Sequence, residues 1–222
     1  MAEESVTIES LYRKFREHDE SQRRLIEESM PVVHLRQEHI QDCELVLNRT
    51  ELIKRLPSRA IVAEIGVDHG DFSEIILSVA HPEKLYLVDI WGTERYHDGL
   101  YELVTSKFSE QIANGKVVVA RELSVNAAST FPDSLFDWIY IDTDHSYSTT
   151  RQELEVYART IKWGGIIAGH DYSKGNMING YRYGVIEAVH EFCIAHNWEL
   201  LYLTVDYPEV PSFAIRRVSE RS

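Results

Sequence analysis

From Pro57 onward, short apolar runs alternate with longer amphipathic stretches. The apolar runs have the length of buried strands and cover residues 60–65, 85–89, 116–120, 136–142 and 165–169. The stretches between them have helical spacing and cover residues 71–80, 99–113 and 149–162. This alternation is typical of βαβ units, in which helices cover both faces of parallel strands. Because the crossovers are right-handed, the pattern predicts an open, doubly wound sheet.

Two further strand-like runs, 198–205 and 212–218, follow a helix that ends near His196. The short connection between them favours an antiparallel pair at the edge of the sheet. The predicted fold class is therefore α/β, with a Rossmann-like sheet of about seven strands. Most strands are expected to be parallel and the last one antiparallel, with helices on both faces.

Before Pro57, apolar residues at helical spacing predict two helices, the second from about Pro31 to Leu56. We predict that residues 1–56 are an N-terminal helical extension, which forms a lid or a dimer face or packs on the sheet. Residues 57–222 are predicted to form one cofactor-binding domain. We expect the protein to be a homo-oligomer, and a dimer face on the extension would account for this.

Charge and composition narrow the classes of partner. The formal net charge is −13, from 36 acidic and 23 basic residues, and it repels a phosphate backbone. We therefore expect a small-molecule substrate and no nucleic acid. The first residues lack a basic region followed by an apolar core, and no apolar run reaches the roughly 18 residues of a membrane helix. With two widely separated cysteines, the chain is expected to be cytoplasmic and not to bind membranes.

The loop after the first predicted strand reads E-x-G-x-x-x-G, from Glu64 to Gly70. Its glycines, Gly66 and Gly70, allow a sharp turn and a close approach of a ligand to the backbone. The loop lacks the third glycine of a dinucleotide site, and Asp68 adds negative charge where a pyrophosphate would lie. These features disfavour a nicotinamide-dependent oxidoreductase. They favour a ligand that is cationic or lacks phosphate, such as a sulfonium amino acid.

The second predicted strand ends at Asp89, 23 residues after Gly66. An acid at this place can accept hydrogen bonds from both hydroxyls of a ribose. Glu64, Gly66 and Asp89, in this order at successive strand ends, resemble the class I S-adenosylmethionine-dependent methyltransferases, over residues 59–218. The resemblance implies that Glu64 and Gly66 line the methionine end, that Asp89 holds the ribose and that Ser124 lies near the adenine.

The full set that we assign to the S-adenosyl-L-methionine site is Glu64, Gly66, Asp68, Gly70, Ser73, Asp89, Ile90, Ser124 and Asp142. Trp91 follows this set closely in sequence and has two interpretations. It packs on the adenine ring, or it fills space beside the edge of the sheet.

Polar clusters end the fourth and fifth predicted strands: 142–145, with the sequence D-T-D-H, and 169–171, with the sequence G-H-D. The carboxyl ends of neighbouring strands share one edge, so we expect these side chains to converge. Buried acids require compensation, which a divalent cation such as Mg²⁺ supplies. Alternatively, these residues are hydrogen-bonded structural groups or helix caps.

The same clusters resemble the metal-dependent sugar O-methyltransferases of the macrocin and aminocoumarin-rhamnosyl type, which have a D-x-D-H-like run after the fourth strand and an acidic pair after the fifth. The resemblance implies that Asp142 and Asp171 bind Mg²⁺, with His170 as the remaining ligand. It also implies that Asp144 is the catalytic base. His145 competes with Asp144 for this role, because an unperturbed imidazole titrates nearer neutral pH than a carboxylate does. The chain departs from this type at His170, where those enzymes have an acid.

The implied reaction transfers a methyl group from S-adenosylmethionine to a hydroxyl of a small molecule, such as a sugar, with the help of Mg²⁺. The alternatives are a metal-independent N- or O-methyltransferase of the same fold and a non-catalytic S-adenosylmethionine-binding module. Two loops at the same edge of the sheet, 95–98 and 174–183, are predicted to form walls of the substrate site.

Overall fold

A computed structural model describes residues 8–176, 180–205 and 207–218. The helices are α1 (Ile8–Ser29), α2 (Arg49–Arg55), α3 (Asp71–Val79), α4 (Asp98–Lys107), α5 (Ser109–Ala113), α6 (Ser124–Thr130), α7 (Tyr147–Ala158) and α8 (Val185–His196). The strands are β1 (Glu44–Val46), β2 (Ile61–Ile65), β3 (Lys84–Asp89), β4 (Val117–Arg121), β5 (Phe136–Ile141), β6 (Ile161–Gly169), β7 (Gly175–Asn176), β8 (Tyr181–Arg182), β9 (Trp198–Thr204) and β10 (Phe213–Arg217).

Eight strands form one sheet in the order β1-β9-β10-β6-β5-β2-β3-β4. Strand β10 runs antiparallel to both of its neighbours, β6 and β9, whereas the remaining pairs of this sheet are parallel. The predicted doubly wound α/β sheet with an antiparallel last strand is therefore confirmed, with one strand more than predicted. Contrary to the expectation, the antiparallel pair β9–β10 does not lie at the edge, because β1 pairs on the outer side of β9. The short strands β7 and β8 pair separately beside it.

Alternation along the central strands supplies two hydrophobic cores. In β2, the buried Val62 belongs to the core on one face, and the next residue, Ala63, belongs to the core on the other. Helices α2, α3 and α4 cover the first face, whereas α6, α7 and α8 cover the second. Because β2 lies inside the sheet and is covered on both faces, it reads as an apolar run interrupted only by Glu64.

The segment before β2 differs from the predicted second helix. It contains a short 3-10 helix (Gln37–His39), strand β1 and helix α2, and β1 pairs in parallel with β9. A strand of three residues is too short to show its period of two against a helical pattern, which explains the error. The side chain of Asn48 begins α2 by accepting a hydrogen bond from the Glu51 amide at 2.9 Å. The division of the chain at residue 56 stays a prediction.

Helix α1 leaves its apolar side chains in solvent. Ile8, Leu11, Tyr12 and Phe15 are all more than half exposed. Near its end, Glu27 forms ion pairs with Lys174, which precedes β7, and with Arg182 of β8. The predicted homo-oligomer is not tested by these contacts and stays a prediction. Within the described residues, no helix is both long and apolar enough to span a lipid bilayer.

Candidate functional site

A cleft of about 950 Å³ opens at the carboxyl ends of β2, β3 and β5. Ligands bind at this edge in open α/β sheets, because the strand ends and the helix starts converge there. Most of the predicted cofactor residues line the cleft: Glu64, Gly66, Asp68, Asp89, Ile90, Ser124 and Asp142. Gly70 and Ser73 do not line it: Gly70 precedes α3, and Ser73 donates a hydrogen bond to Glu64.

Gly66 allows the ends of β2 and β5 to approach each other. Its φ is +89°, and a Cβ atom on it would lie 1.9 Å from the carbonyl oxygen of Asp142. No other residue type fits this backbone without a shift of one strand end. Gly70, with φ +75°, precedes the first turn of α3 and allows the loop to enter that helix.

Glu64 is a buried acid at the base of the cleft. Ser73, in the first turn of α3, donates a hydrogen bond from its hydroxyl to the Glu64 carboxyl. Burial raises the pKa of Glu64 to about 8, although the hydrogen bond from Ser73 opposes the increase. A cationic ligand beside Glu64 would favour its ionised form and would gain a charge-assisted hydrogen bond.

Asp89 connects the end of β3 with the glycine loop. Its Oδ2 accepts hydrogen bonds from the backbone amides of Val67 and Asp68, at 2.8 and 3.1 Å. Its Oδ1 accepts one from the Trp91 amide at 3.1 Å. The acid predicted to hold a ribose therefore also fixes the loop that surrounds the ligand.

Trp91 packs in the core and does not line the cleft. It is fully buried, its indole N–H donates to the carbonyl of Asp68 at 3.1 Å, and its ring lies 5.5 Å from that of Tyr101. Of the two interpretations of this residue, the structure supports the space-filling one. The cleft is instead lined by Leu123, Ser124 and Val125, which follow β4.

The two predicted bases differ in their hydrogen bonds. The carboxylate of Asp144 accepts hydrogen bonds from the Ser146 amide at 2.9 Å and from the Thr149 hydroxyl at 2.8 Å, so both oxygens are used at the start of α7. The Nδ1 atom of His145 lies 2.9 Å from Oδ2 of Asp171. Both His145 and Asp144 line the cleft.

Asp142, His170 and Asp171 converge as predicted. Each offers one possible ligand atom, and these atoms lie within 4.8 Å of one another. His170 Nδ1 is 3.2 Å from Oδ2 of Asp171 and 3.8 Å from Oδ1 of Asp142. Of the three, only Asp142 lines the cleft, so His170 and Asp171 lie behind it.

Electrostatics in this cluster follow from burial and short contacts. Burial alone would raise the pKa of Asp171, but hydrogen bonds from His145 and His170 outweigh it and hold the pKa well below its usual range. Burial also disfavours the charged imidazoles, yet Asp171 overcomes this and raises the pKa of both histidines. Burial raises the pKa of Asp142, which His170 opposes and Asp171 reinforces.

The predicted substrate walls lie only partly at the cleft. Arg95, Tyr96, Tyr181 and Tyr183 line it. His97 instead caps α4 by accepting a hydrogen bond from the Gly99 amide at 3.1 Å, and Asp98 pairs with Arg121. Residues 177–179 of the second predicted wall lie outside the described residues.

Residues 63–172 match the family model described as a methyltransferase domain, which is just under half of the chain. This match contains the glycine loop, Asp89 and both polar clusters. Residues 63–172 therefore carry a methyltransferase domain. The predicted class of enzyme is thereby confirmed.

Solved structures of methyltransferases share the fold of this domain. An rRNA-methylase candidate from Clostridium thermocellum is 17% identical, with a TM-score of 0.59 over 79% of this chain and 99% of the other. An S-adenosylmethionine-dependent methyltransferase from Aquifex aeolicus is 14% identical, with a TM-score of 0.57 over 78% and 91%. A methyltransferase candidate from Streptococcus mutans, solved with S-adenosylhomocysteine, is 12% identical, with a TM-score of 0.55 over 77% and 96%. None of the curated protein sequences matches the chain.

The polar cluster of the methyltransferase domain fits a divalent cation. Ligands of a shared ion lie a few ångströms apart, as the side chains of Asp142, His170 and Asp171 do. The contact of 3.2 Å between His170 and Asp171 suits a shared ion as well as a proton on the imidazole. Because Mg²⁺ prefers oxygen ligands, the imidazole suits a first-row transition ion at least as well.

Two residues of the cleft region have no counterpart in the sequence predictions. Arg49, on α2, lines the cleft, but its segment was assigned to the N-terminal extension. Glu153, on α7, is fully buried and accepts a hydrogen bond from the Thr143 hydroxyl at 2.9 Å. Burial raises its pKa to about 7. In the sequence, Glu153 is one of two acids of an amphipathic helix, so no signal separated it from a solvated face.

Proposed function

We propose that the protein transfers a methyl group from S-adenosylmethionine to a hydroxyl of a small molecule, with His145 as the base. The observation that carries the proposal is the contact of 2.9 Å between His145 and Asp171 at the wall of the cleft. An imidazole held by a carboxylate beside a cofactor cleft is a recurrent arrangement for removing a proton from a nucleophile.

The lining of the cleft supports the placement of the cofactor. Glu64 and Gly66 would surround the methionine end, Asp89 the ribose and Ser124 the adenine. The acids attract a sulfonium cation and repel phosphate groups. The rRNA named for the Clostridium thermocellum protein is disfavoured as a substrate here for the same reason, since a phosphate backbone would meet a strongly acidic chain.

His145 is favoured over Asp144 because its Nε2 atom makes no hydrogen bond to another residue that the structure describes. The pKa of Asp171 is held low, so its carboxylate is ionised and can only accept, and Nδ1 of His145 must donate to it. In the neutral imidazole, Nε2 then has the lone pair that can take a proton. Both carboxylate oxygens of Asp144 already accept hydrogen bonds at the start of α7.

The proposed step balances without a further reactant. The hydroxyl oxygen forms a bond to the methyl carbon while the bond between carbon and sulfur breaks, which leaves S-adenosylhomocysteine as a neutral thioether. The hydroxyl proton moves to Nε2 of His145. Since the sulfonium is already activated, alignment of the oxygen with the methyl group supplies much of the rate enhancement.

A divalent cation is the second part of the proposal. Asp142, His170 and Asp171 would hold it, and when bound it would lower the pKa of a coordinated hydroxyl. The compact ligand set supports this part. The metal-independent alternative has its own support, because His145 and His170 already compensate the charge of Asp171 through short contacts.

The acceptor is proposed to be a neutral, hydroxylated molecule, with sugars as the first class to test. The test incubates the protein with methyl-labelled S-adenosylmethionine and a panel of monosaccharides, glycosides and phenols, and detects methylated products by mass spectrometry. The variant H145N should lower turnover by about 10²–10⁴-fold, the usual contribution of a positioned base. The control H196N removes a histidine that pairs with Glu155 away from the cleft, and should keep turnover.

Two results would contradict this proposal. Transfer by H145N at the rate of the unsubstituted protein would remove His145 from the mechanism. Binding of S-adenosylhomocysteine without transfer to any acceptor of the panel would support the non-catalytic module instead.

A further inference from the structure

The acids that line the cleft favour one charged group of the proposed ligand and disfavour another. Six carboxylic acids line it: Glu64, Asp68, Asp71, Asp89, Asp142 and Asp144. The methionine part of S-adenosylmethionine carries an ammonium group, which these acids attract, and also a carboxylate, which they repel. A carboxylate that leaves water requires a cation or several hydrogen-bond donors. The methionine end of the cleft must therefore offer a positive group or several hydrogen-bond donors.

Arg49 occupies that end of the cleft. Its guanidinium carbon lies 4.7 Å from the centre of the Phe72 ring, and its Nη1 lies 3.9 Å from Oδ2 of Asp142. Burial raises the pKa of Glu64, and the hydrogen bond from Ser73 and the charge of Arg49 oppose this increase. The other arginine of the lining, Arg95, lies in the loop after β3 and stacks on Tyr96.

The guanidinium of Arg49 is held in place by the Phe72 ring, and its N–H groups are available to a ligand. No hydrogen bond from it to another described residue is present, and its distance to Asp142 exceeds that of a hydrogen bond. About a third of the side chain is exposed, on the side of the cleft. Stacking on Phe72 restrains the planar group, so its donors are positioned before a ligand arrives.

We propose that Arg49 binds the α-carboxylate of the methionine moiety of S-adenosylmethionine. The fork of N–H groups on a guanidinium matches the two oxygens of a carboxylate. The proposal rests on the proposed placement of the cofactor, with Glu64 and Gly66 at the methionine end. It also gives α2 and β1 a functional role, because they bring a cofactor ligand to the edge of the sheet.

Ligands with and without the amino acid part test this role. S-adenosylhomocysteine carries the carboxylate, whereas 5′-methylthioadenosine has the same adenosine and thioether but lacks it. Calorimetry should show that R49A weakens S-adenosylhomocysteine binding by about 10–100-fold, the value of one or two charge-assisted hydrogen bonds. The Kd of 5′-methylthioadenosine should change by less than about 2-fold, since the lost contact is absent from that ligand. The variant R49K, which keeps the charge and loses the fork, should fall between R49A and the unsubstituted protein.

Arg95 provides the matched control for Arg49. R95A removes the other arginine of the lining and should change the Kd of both ligands by the same factor. Equal losses of both ligands in R49A would overturn the proposal and leave the cofactor site standing, because Arg49 would then act only by neutralising Asp142. Failure of both ligands to bind the unsubstituted protein would overturn the cofactor placement itself, and the role of Arg49 with it.

Discussion

His145 and Asp171 meet through Nδ1 and Oδ2 at 2.9 Å, and both residues have left-handed backbone conformations, with φ of 61° and 58°. Such conformations cost roughly 1 kcal/mol or more for residues with a side chain, and they persist where the surrounding structure enforces them. The contact joins the ends of two neighbouring strands, β5 and β6. We therefore regard this pair as the centre of the proposed reaction.

Substitution of Asp171 tests the pair directly. D171N should lower kcat by about 10²–10⁴-fold, because an amide does not hold His145 in the required tautomer. The Kd of S-adenosylhomocysteine should change little, since Asp171 does not line the cleft. Single-turnover kinetics and calorimetry measure the two quantities. A loss of cofactor affinity as large as the loss of rate would contradict the assigned role.

Asp89 should control cofactor binding and not the chemical step. D89A removes the predicted ribose contact and also three hydrogen bonds to the backbone. We expect the Kd of S-adenosylhomocysteine to rise by about 10–100-fold, because charge-assisted hydrogen bonds contribute about 1.5–3 kcal/mol each. The control D133A removes an exposed acid that pairs with Arg159 away from the cleft. An unchanged Kd in D89A would show that the ribose lies elsewhere.

The buried Glu153 should make stability depend on pH. Its pKa is about 7 in the folded protein, well above the usual value of a glutamate. Its stabilising contribution is therefore complete below about pH 4 and is lost as the pH rises through 7. E153Q imitates the protonated form, so it should be more stable than the unsubstituted protein at pH 8, by up to about 3 kcal/mol, and similar at pH 4.

Urea denaturation at both pH values measures this difference. E155Q is the matched control, because Glu155 lies two residues further on the same helix and is exposed. A stability difference between E153Q and the unsubstituted protein that does not vary with pH would contradict the raised pKa.

Removal of metal separates the two versions of the mechanism. If Asp142, His170 and Asp171 hold a cation, EDTA should lower turnover by at least about 10-fold, and Mg²⁺ or Mn²⁺ should restore it. H170A should abolish the increase in Tm on adding the ion but keep the increase on adding S-adenosylhomocysteine. Full activity in EDTA would exclude the cation and leave the metal-independent alternative.

The sequence predicts the parts of this site that lie at strand ends. Glu64, Gly66 and Asp89 lie at the ends of apolar runs whose register is fixed by burial on both faces, so their position at one edge of the sheet follows from the fold. The convergence of Asp142 with Asp171 follows in the same way. These residues could be found because one local pattern determines where each lies.

Other parts depend on contacts that no local pattern encodes. Arg49 reaches the cleft because a strand of three residues joins the sheet and α2 packs on the first face. Glu153 lies on the buried side of α7, where it accepts a hydrogen bond from the Thr143 hydroxyl. The choice between Asp144 and His145 depends on which side chain the start of α7 uses for its own hydrogen bonds. Each of these requires tertiary structure.

Thermal denaturation with added ligands tests the central claim, that the cleft from Glu64 to Asp142 binds S-adenosylmethionine. Saturating S-adenosylmethionine or S-adenosylhomocysteine should raise Tm, because a ligand that binds only the folded state stabilises it. NAD at the same concentration should leave Tm unchanged, since its pyrophosphate would meet Asp68 and the other acids of the loop. An increase with NAD alone would contradict the account.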